Sequence, residues 1–267
     1  YVFPNPIADF SINDSQQCYN GNSFIFTNLT TINTGSISYL WAFGDASSSN
    51  APNPTYSYFL DDTFSVHLVA VSNLDCRDTA IKTSYVFPSP VTQFSIDNNS
   101  QCLLDNEFNF TNNSTINSGS LAYLWDFGDG TTDTKLHTSH QYANYDTLSV
   151  KLLLTSDLMC QDSLSKLVYI HPMPDALFSI NDTDQCLDGN IFSFANASSL
   201  VYGNMSYQWS FGDGNKSTNS NPTHSYGNYD TFSVDLIVST TNTCRDTFSY
   251  PVVVHPMPVA DFDINIA

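Results

Sequence analysis

Along much of the chain apolar and polar residues alternate one for one, the period of strands with one face toward a core and one toward solvent. Phe24 and Phe26 alternate with Ile25 and Thr27, and the pair returns as Phe108 with Phe110 and as Phe192 with Phe194. A second run sets Tyr39, Trp41 and Phe43 on one face, restated as Tyr123, Trp125, Phe127 and as Tyr207, Trp209, Phe211. A third reads Phe64, Val66, Leu68, Ala70, then Leu148, Val150, Leu152, Leu154, then Phe232, Val234, Leu236, Val238. The residues between them, such as His67, Lys151 and Asp235, change chemistry from copy to copy, as a solvent face allows. The phenylalanines are expected to face the core, with each tryptophan as its pillar. No stretch shows the longer period of an amphipathic helix. Short strands separated by Asn, Gly, Ser and Asp predict an all-β chain built of antiparallel sandwiches.

The copies are regular. Trp41, Trp125 and Trp209 stand 84 residues apart (125 − 41 = 209 − 125 = 84), and so do Cys18, Cys102, Cys186 and Cys76, Cys160, Cys244. Pro4, Pro88, Pro172 and Pro256 keep the same step, with no insertion or deletion. The period predicts three repeats, at 6–88, 89–172 and 173–256, with the end of a preceding one at 1–5 and the start of a fourth at 257–267. On this reading the chain is a segment of a longer array.

The sharpest local signature is the turn after the tryptophan strand, Trp125-Asp126-Phe127-Gly128-Asp129-Gly130, matched by Trp209-Ser210-Phe211-Gly212-Asp213-Gly214. Its glycines permit positive φ, and the aspartate between them accepts backbone N–H bonds. The first repeat reads Trp41 followed by Gly44-Asp45-Ala46, so its last turn residue lacks that freedom. Downstream come His140-Gln141-Tyr142 and His224-Ser225-Tyr226, then an alternating strand from Tyr145 to Val150 and its copy from Tyr229 to Val234.

With those motifs the chain resembles the polycystic-kidney-disease (PKD) domain family, whose pattern is a W-x-F-G-D-G turn, then H-x-Y, then Y-x-V-x-L. The resemblance covers all three repeats. It implies three tandem immunoglobulin-like sandwiches used outside the cell for spacing, adhesion or contact with protein and carbohydrate. Departures are Tyr56 in place of the first motif histidine, and Asp62, Asp146 and Asp230 where a glycine usually precedes the last strand. The added cysteines and the Pro-x-Pro linkers are similar to tandem PKD repeats of giant surface proteins of gliding and biofilm-forming bacteria of the Bacteroidota type. Many of those leave the cell by type IX secretion, and some are motility adhesins.

Charge and cysteine content sharpen the picture. Seven Lys and Arg against 26 Asp and Glu leave a net charge of −19, which disfavours nucleic acid and anionic membranes as partners. No apolar run approaches the roughly 18 residues of a membrane span, and the first residues do not read as a signal peptide, so any export signal lies outside this segment. Two cysteines per repeat suit an oxidising, extracellular compartment with one disulfide in each domain. The expected pairs are Cys18–Cys76, Cys102–Cys160 and Cys186–Cys244. The rival Cys76–Cys102 pairing strands Cys18 and Cys244, and two cysteines without adjacent ligands do not fill a tetrahedral zinc site. The first cysteine precedes a central strand and the second sits in a late hairpin, and sequence does not show that these ends meet.

No catalytic residue and no cofactor are expected. Histidine near Asp129 or Asp213 suggests a base at His140 or His224, but Tyr56 replaces it in the first repeat, and a catalytic group has no reason to recur in tandem. A packed ring whose nitrogen satisfies a turn group is the favoured reading. Calcium is the rival chemistry, with oxygen ligands at Asp9, Asp97, Asp175, Asp182 and Asp261 near the linkers, although these do not all repeat and solvated surface acids are the plainer reading. The triplets at Asp78-Thr79-Ala80, Asp146-Thr147-Leu148 and Asp162-Ser163-Leu164 make Thr79, Thr147 and Ser163 candidates for O-glycosylation. Short proline-bearing linkers predict an elongated, semi-rigid rod. The functional expectation is a structural stalk or filament segment of a secreted surface adhesin, with neighbouring repeats of the same chain as partners. The alternatives are repeats that themselves bind glycan or protein, lateral self-assembly, and an accessory module of a secreted hydrolase.

Overall fold

The computed structural model describes residues 4–262, and among them every regular element is a strand. The first repeat lays down eight: β1 (Phe10–Ile12), β2 (Gln16–Cys18), β3 (Phe24–Asn28), β4 (Ile37–Ala42), β5 (Ser48–Ser49), β6 (Thr55–Tyr56), β7 (Thr63–Ser72) and β8 (Arg77–Phe87). They form a three-stranded sheet in the order β1-β3-β6 and a five-stranded sheet in the order β2-β8-β7-β4-β5. The other repeats show the same two strand orders. The observed fold is thus tandem immunoglobulin-like sandwiches, as the period-two pattern predicts.

The alternation in sequence becomes alternation in burial. Phe24, Phe26, Trp41, Val66, Leu68 and Ala70 are fully buried, while Tyr39 is only half-buried. In the first repeat the Phe10 ring meets Trp41 edge-on at 5.0 Å. The Trp41 indole N–H donates to the Ala51 carbonyl at 2.9 Å, so the pillar leaves no buried donor unpaired. Burying one such aromatic removes roughly 150–250 Å² from water, about 4–6 kcal/mol before the entropy of ordering. Trp209 repeats the arrangement with Phe178 at 5.0 Å and the Asn219 carbonyl at 2.9 Å.

By compactness the chain divides into two units, one of Tyr1–Ser95, Phe110–Thr138 and Val150–Lys166, the other of Ile96–Asn109, Ser139–Ser149 and Leu167–Ala267. The division runs through the middle repeat, not along a proline linker. In the first unit the core of repeat one gathers Phe10, Phe24, Phe26, Trp41 and Phe43 under Tyr58 and Phe64. In the second, Phe178, Phe192, Phe194, Trp209, Phe211 and Tyr226 form the corresponding core of repeat three.

Candidate functional site: the cystine seam between repeats

One strand pairing places the first cysteine of every repeat. β2 runs parallel to the last part of β8, with Gln16 opposite Tyr85 and Cys18 opposite Phe87, and the Tyr19 N–H continues the ladder onto the Phe87 carbonyl at 2.7 Å. Cys102 stands likewise opposite His171, and Cys186 opposite His255. The second cysteine lies at the other end of the same strand, in the turn that leads into β8. There Ser72 N–H bonds the Cys76 carbonyl at 2.9 Å, and the residue before each cysteine is left-handed: Asp75 at φ 59°, Met159 at 64° and Thr243 at 66°.

That arrangement overturns the expected pairs Cys18–Cys76, Cys102–Cys160 and Cys186–Cys244. β8 spans Arg77–Phe87, and at ~3.3 Å per residue its ends are roughly 30 Å apart, far beyond the ~7 Å between α-carbons that a disulfide bridges. The bonds observed are Cys18–Cys160, with α-carbons 5.6 Å apart, and Cys102–Cys244, 5.5 Å apart, each across 142 residues of sequence. Both join the strand cysteine of one repeat to the hairpin cysteine of the next. Cys76 and Cys186 are free thiols in this chain.

Polar and aromatic contacts accompany each bridge. In the first unit the Asn117 amide donates to Asp61 at 3.1 Å. In the second, Tyr145 meets Tyr202 edge-on at 6.0 Å, and the Asn242 amide donates to His171 Nδ1 at 2.9 Å. With that nitrogen accepting, His171 Nε2–H faces the Ser100 hydroxyl at 2.8 Å. A cleft of about 40 Å³ opens here between Pro172, Tyr202 and Asn242, large enough for little more than water.

The signature turn is a structural lock. Asp213 accepts the Asn215 N–H at 3.0 Å and, on its other oxygen, His224 Nε2 at 2.8 Å, while the His224 ring stacks on Phe211 at 4.2 Å. In repeat one the replacement keeps the geometry, because Tyr56 stacks on Phe43 at 4.2 Å and its hydroxyl donates to Asp45 at 2.6 Å. Asp129 accepts the Thr131 N–H at 3.0 Å in the middle repeat. Partial burial raises the Asp213 carboxyl, but bonds from the backbone and side chain of Asn215 and from His224 outweigh it and hold the pKa below the ordinary value. Asp45 is lowered in the same way, with bonds from Tyr56 and Ser47 prevailing over burial. Gly44 and Gly212 sit at φ 92° and 84°, each with neighbouring backbone where a side chain would go, 2.8 Å from the Ser65 and Ser233 carbonyls respectively. Gly128 takes the corresponding φ of 82°. Ala46 takes φ 73° where the later copies have glycine.

Four of the five calcium candidates have contacts of their own. Asp9 pairs with Lys82 at 3.1 Å, Asp97 accepts from the Asn109 amide at 2.8 Å, and Asp182 caps Asp184 N–H at 3.1 Å. Asp175 pairs through its backbone with Ser199, and Asp261 is exposed. Among the described residues no three of His, Cys, Asp and Glu converge on a metal position. Thr79, Thr147 and Ser163 are exposed on strands. The aspartates before Thr79 and Ser163 are already employed, Asp78 accepting Ala8 N–H and Asp162 accepting Thr92 N–H, each at 2.7 Å. Asp246 does the same for Ala176.

Sequence reasoning missed the buried asparagines Asn22, Asn106 and Asn190. Each amide donates to the carbonyl of a core tyrosine, Tyr58, Tyr142 or Tyr226, at 2.9 Å and accepts that tyrosine's N–H at 2.7–2.8 Å. Their recurrence at the common period was the available signal. The Tyr58 and Tyr226 hydroxyls donate to the Phe43 and Phe211 carbonyls at 2.8 Å, and burial pushes both phenols well above their usual range.

No helix among the described residues is long and apolar enough to cross a membrane. A comparison with curated proteins finds no match. Among solved structures, the PKD1 domain of the Vibrio cholerae metalloprotease PrtV is 26% identical, over 31% of this chain and 96% of that one, with a TM-score of 0.28. The corresponding domain of Vibrio anguillarum Epp is 23% identical over 31% and 93%, also at 0.28. Eight immunoglobulin domains of the Down Syndrome Cell Adhesion Molecule are 8% identical over 97% of this chain and 37% of that one, with a TM-score of 0.59, a likeness of fold. The profile described as PKD domain matches residues 88–171 and 174–254, more than half of the sequence, and the chain belongs to the PKD domain family.

Proposed function

We propose that this chain is a non-catalytic spacer segment of an extracellular surface adhesin, of the kind used in gliding or biofilm attachment. The observation that carries the reading is the cystine seam, since each bridge ties one repeat covalently to the next instead of closing a domain on itself. Such a bond adds nothing to a catalytic site, but it limits how far the chain extends when a module opens under load. The loops fit a spacer as well: Phe59 is 78% exposed, yet its counterparts are Ala143 and Gly227, so this exposed aromatic is not repeated as a ligand platform. The acidic surface suits a secreted chain. Binding of the oxidised chain to a broad glycan array, with calcium and with chelator, tests the proposal. A spacer shows no saturable binding in either condition; saturable binding abolished by mutating one exposed loop makes the repeats themselves adhesive.

A further inference from the structure

The two free thiols occupy equivalent positions to bonded ones. Cys186 has the place of Cys18 and Cys102, on the short strand parallel to the last strand of its repeat. Cys76 has the place of Cys160 and Cys244, behind a left-handed residue at the start of that last strand. The bonded hairpin cysteines Cys160 and Cys244 are 0–1% exposed whereas Cys76 is only partly covered, and the bonded strand cysteines Cys18 and Cys102 are half-buried whereas Cys186 is exposed. The surroundings of Cys186 also match a seam. Tyr229 stands where Tyr145 packs on Tyr202, and it is 61% exposed. His255 stands where His171 receives the Asn242 amide.

We propose that Cys186 and Cys76 are complementary halves of a further bridge of the same kind, so that the Cys186 end takes the hairpin cysteine of another repeat like these. A second copy of the chain supplies one in Cys76, joining copies head to tail. The chemistry requires a small disulfide such as oxidised glutathione as oxidant. One thiolate attacks it, releasing one glutathione thiolate and leaving a mixed disulfide. The other cysteine's thiolate attacks that, forming Cys186–Cys76 and releasing the second glutathione. Two protein thiols are oxidised and one glutathione disulfide is reduced to two thiols.

The test uses the full chain with oxidised glutathione, read on non-reducing gels and by mass mapping of linked peptides. The unmodified chain is expected to form a ladder in steps of 29.6 kDa, linked Cys186 to Cys76. Cys76→Ser and Cys186→Ser each keep both internal bridges and one free thiol, a count that also confirms their folding. Each alone is expected to stay monomeric, and an equal mixture to give one dimer and nothing larger. Self-dimers of either variant forming as readily as the mixed dimer, or a mixture that stays monomeric, would overturn the proposal.

Discussion

Cys18 and Cys160 are 142 residues apart in the chain and 5.6 Å apart at their α-carbons. A bond closing so long a loop removes much freedom from the unfolded chain, about 5 kcal/mol on the chain-entropy account. Cys160→Ser is therefore expected to lower stability by about 3–5 kcal/mol in a guanidinium titration. Cys76→Ser, which breaks no bridge, stays within about 0.5 kcal/mol. Equal stability of the two variants would mean that contacts such as Asn117 with Asp61 already hold the seam.

Extension under force gives an independent reading. With both bridges intact, the shortest covalent path from Tyr1 to Ala267 crosses at Cys18–Cys160, returns to Cys102 and crosses again to Cys244. That path holds roughly 100 residues, so at ~3.4 Å each the oxidised chain stretches to roughly 340 Å and the reduced chain to roughly 900 Å. Single-molecule pulling with and without reductant measures the ratio; equal lengths would show that the bridges do not form.

The signature turn predicts opposite outcomes at neighbouring positions. Gly212→Ala forces a methyl to 2.8 Å from the Ser233 carbonyl at φ 84°, and is expected to cost about 2–4 kcal/mol. Gly214→Ala meets open space at φ 94° and costs about 1 kcal/mol. Ala46→Gly relieves a left-handed alanine and gains about 0.5–1 kcal/mol after glycine's entropy is counted. Thermal melts of the three variants rank them.

Asn190 serves three backbone groups of the core, donating to Leu187 and Tyr226 and accepting from Tyr226. Asn190→Ala leaves those groups buried and unpaired and is expected to cost about 2–4 kcal/mol. Asn190→Asp keeps the acceptor but places a charge among carbonyls, so it destabilises more at pH 7 than at pH 4. Chemical denaturation at the two pH values checks both.

Stability is expected to fall at both ends of the pH scale. Asp45, Asp133 and Asp213 have folded pKa values below the ordinary 3.8, and the Thr138 hydroxyl is the main reason Asp133 lies at about 2. Their contribution is complete above about pH 4 and disappears as pH falls through the lowered values toward 2. Tyr58 and Tyr226 are raised above 10.0, chiefly by burial, so their contribution is complete below pH 10 and disappears above it. Asp213→Asn should flatten the acid limb in pH-dependent melts, and an unchanged acid slope would remove Asp213 from the account.

Local chemistry made strands, turns and repeats legible in the sequence. Phe24 and Phe26 alternate with polar neighbours because a strand turns every second side chain inward, and the Gly212-Asp213-Gly214 turn needs residues that tolerate positive φ. The role of His224 followed from its exchange for Tyr56, since each ring stacks on the signature phenylalanine of its own repeat, Phe211 or Phe43, and reaches the signature aspartate, Asp213 or Asp45. The cysteine partners were not legible, because parity counts thiols without locating them. Only tertiary structure decided that β2 runs parallel to the end of β8, which carries Cys18 roughly 30 Å from Cys76 and beside the hairpin of the next repeat. A non-local strand pairing leaves no periodic trace, and it is that pairing which turned an apparent bond within each domain into a bond between domains.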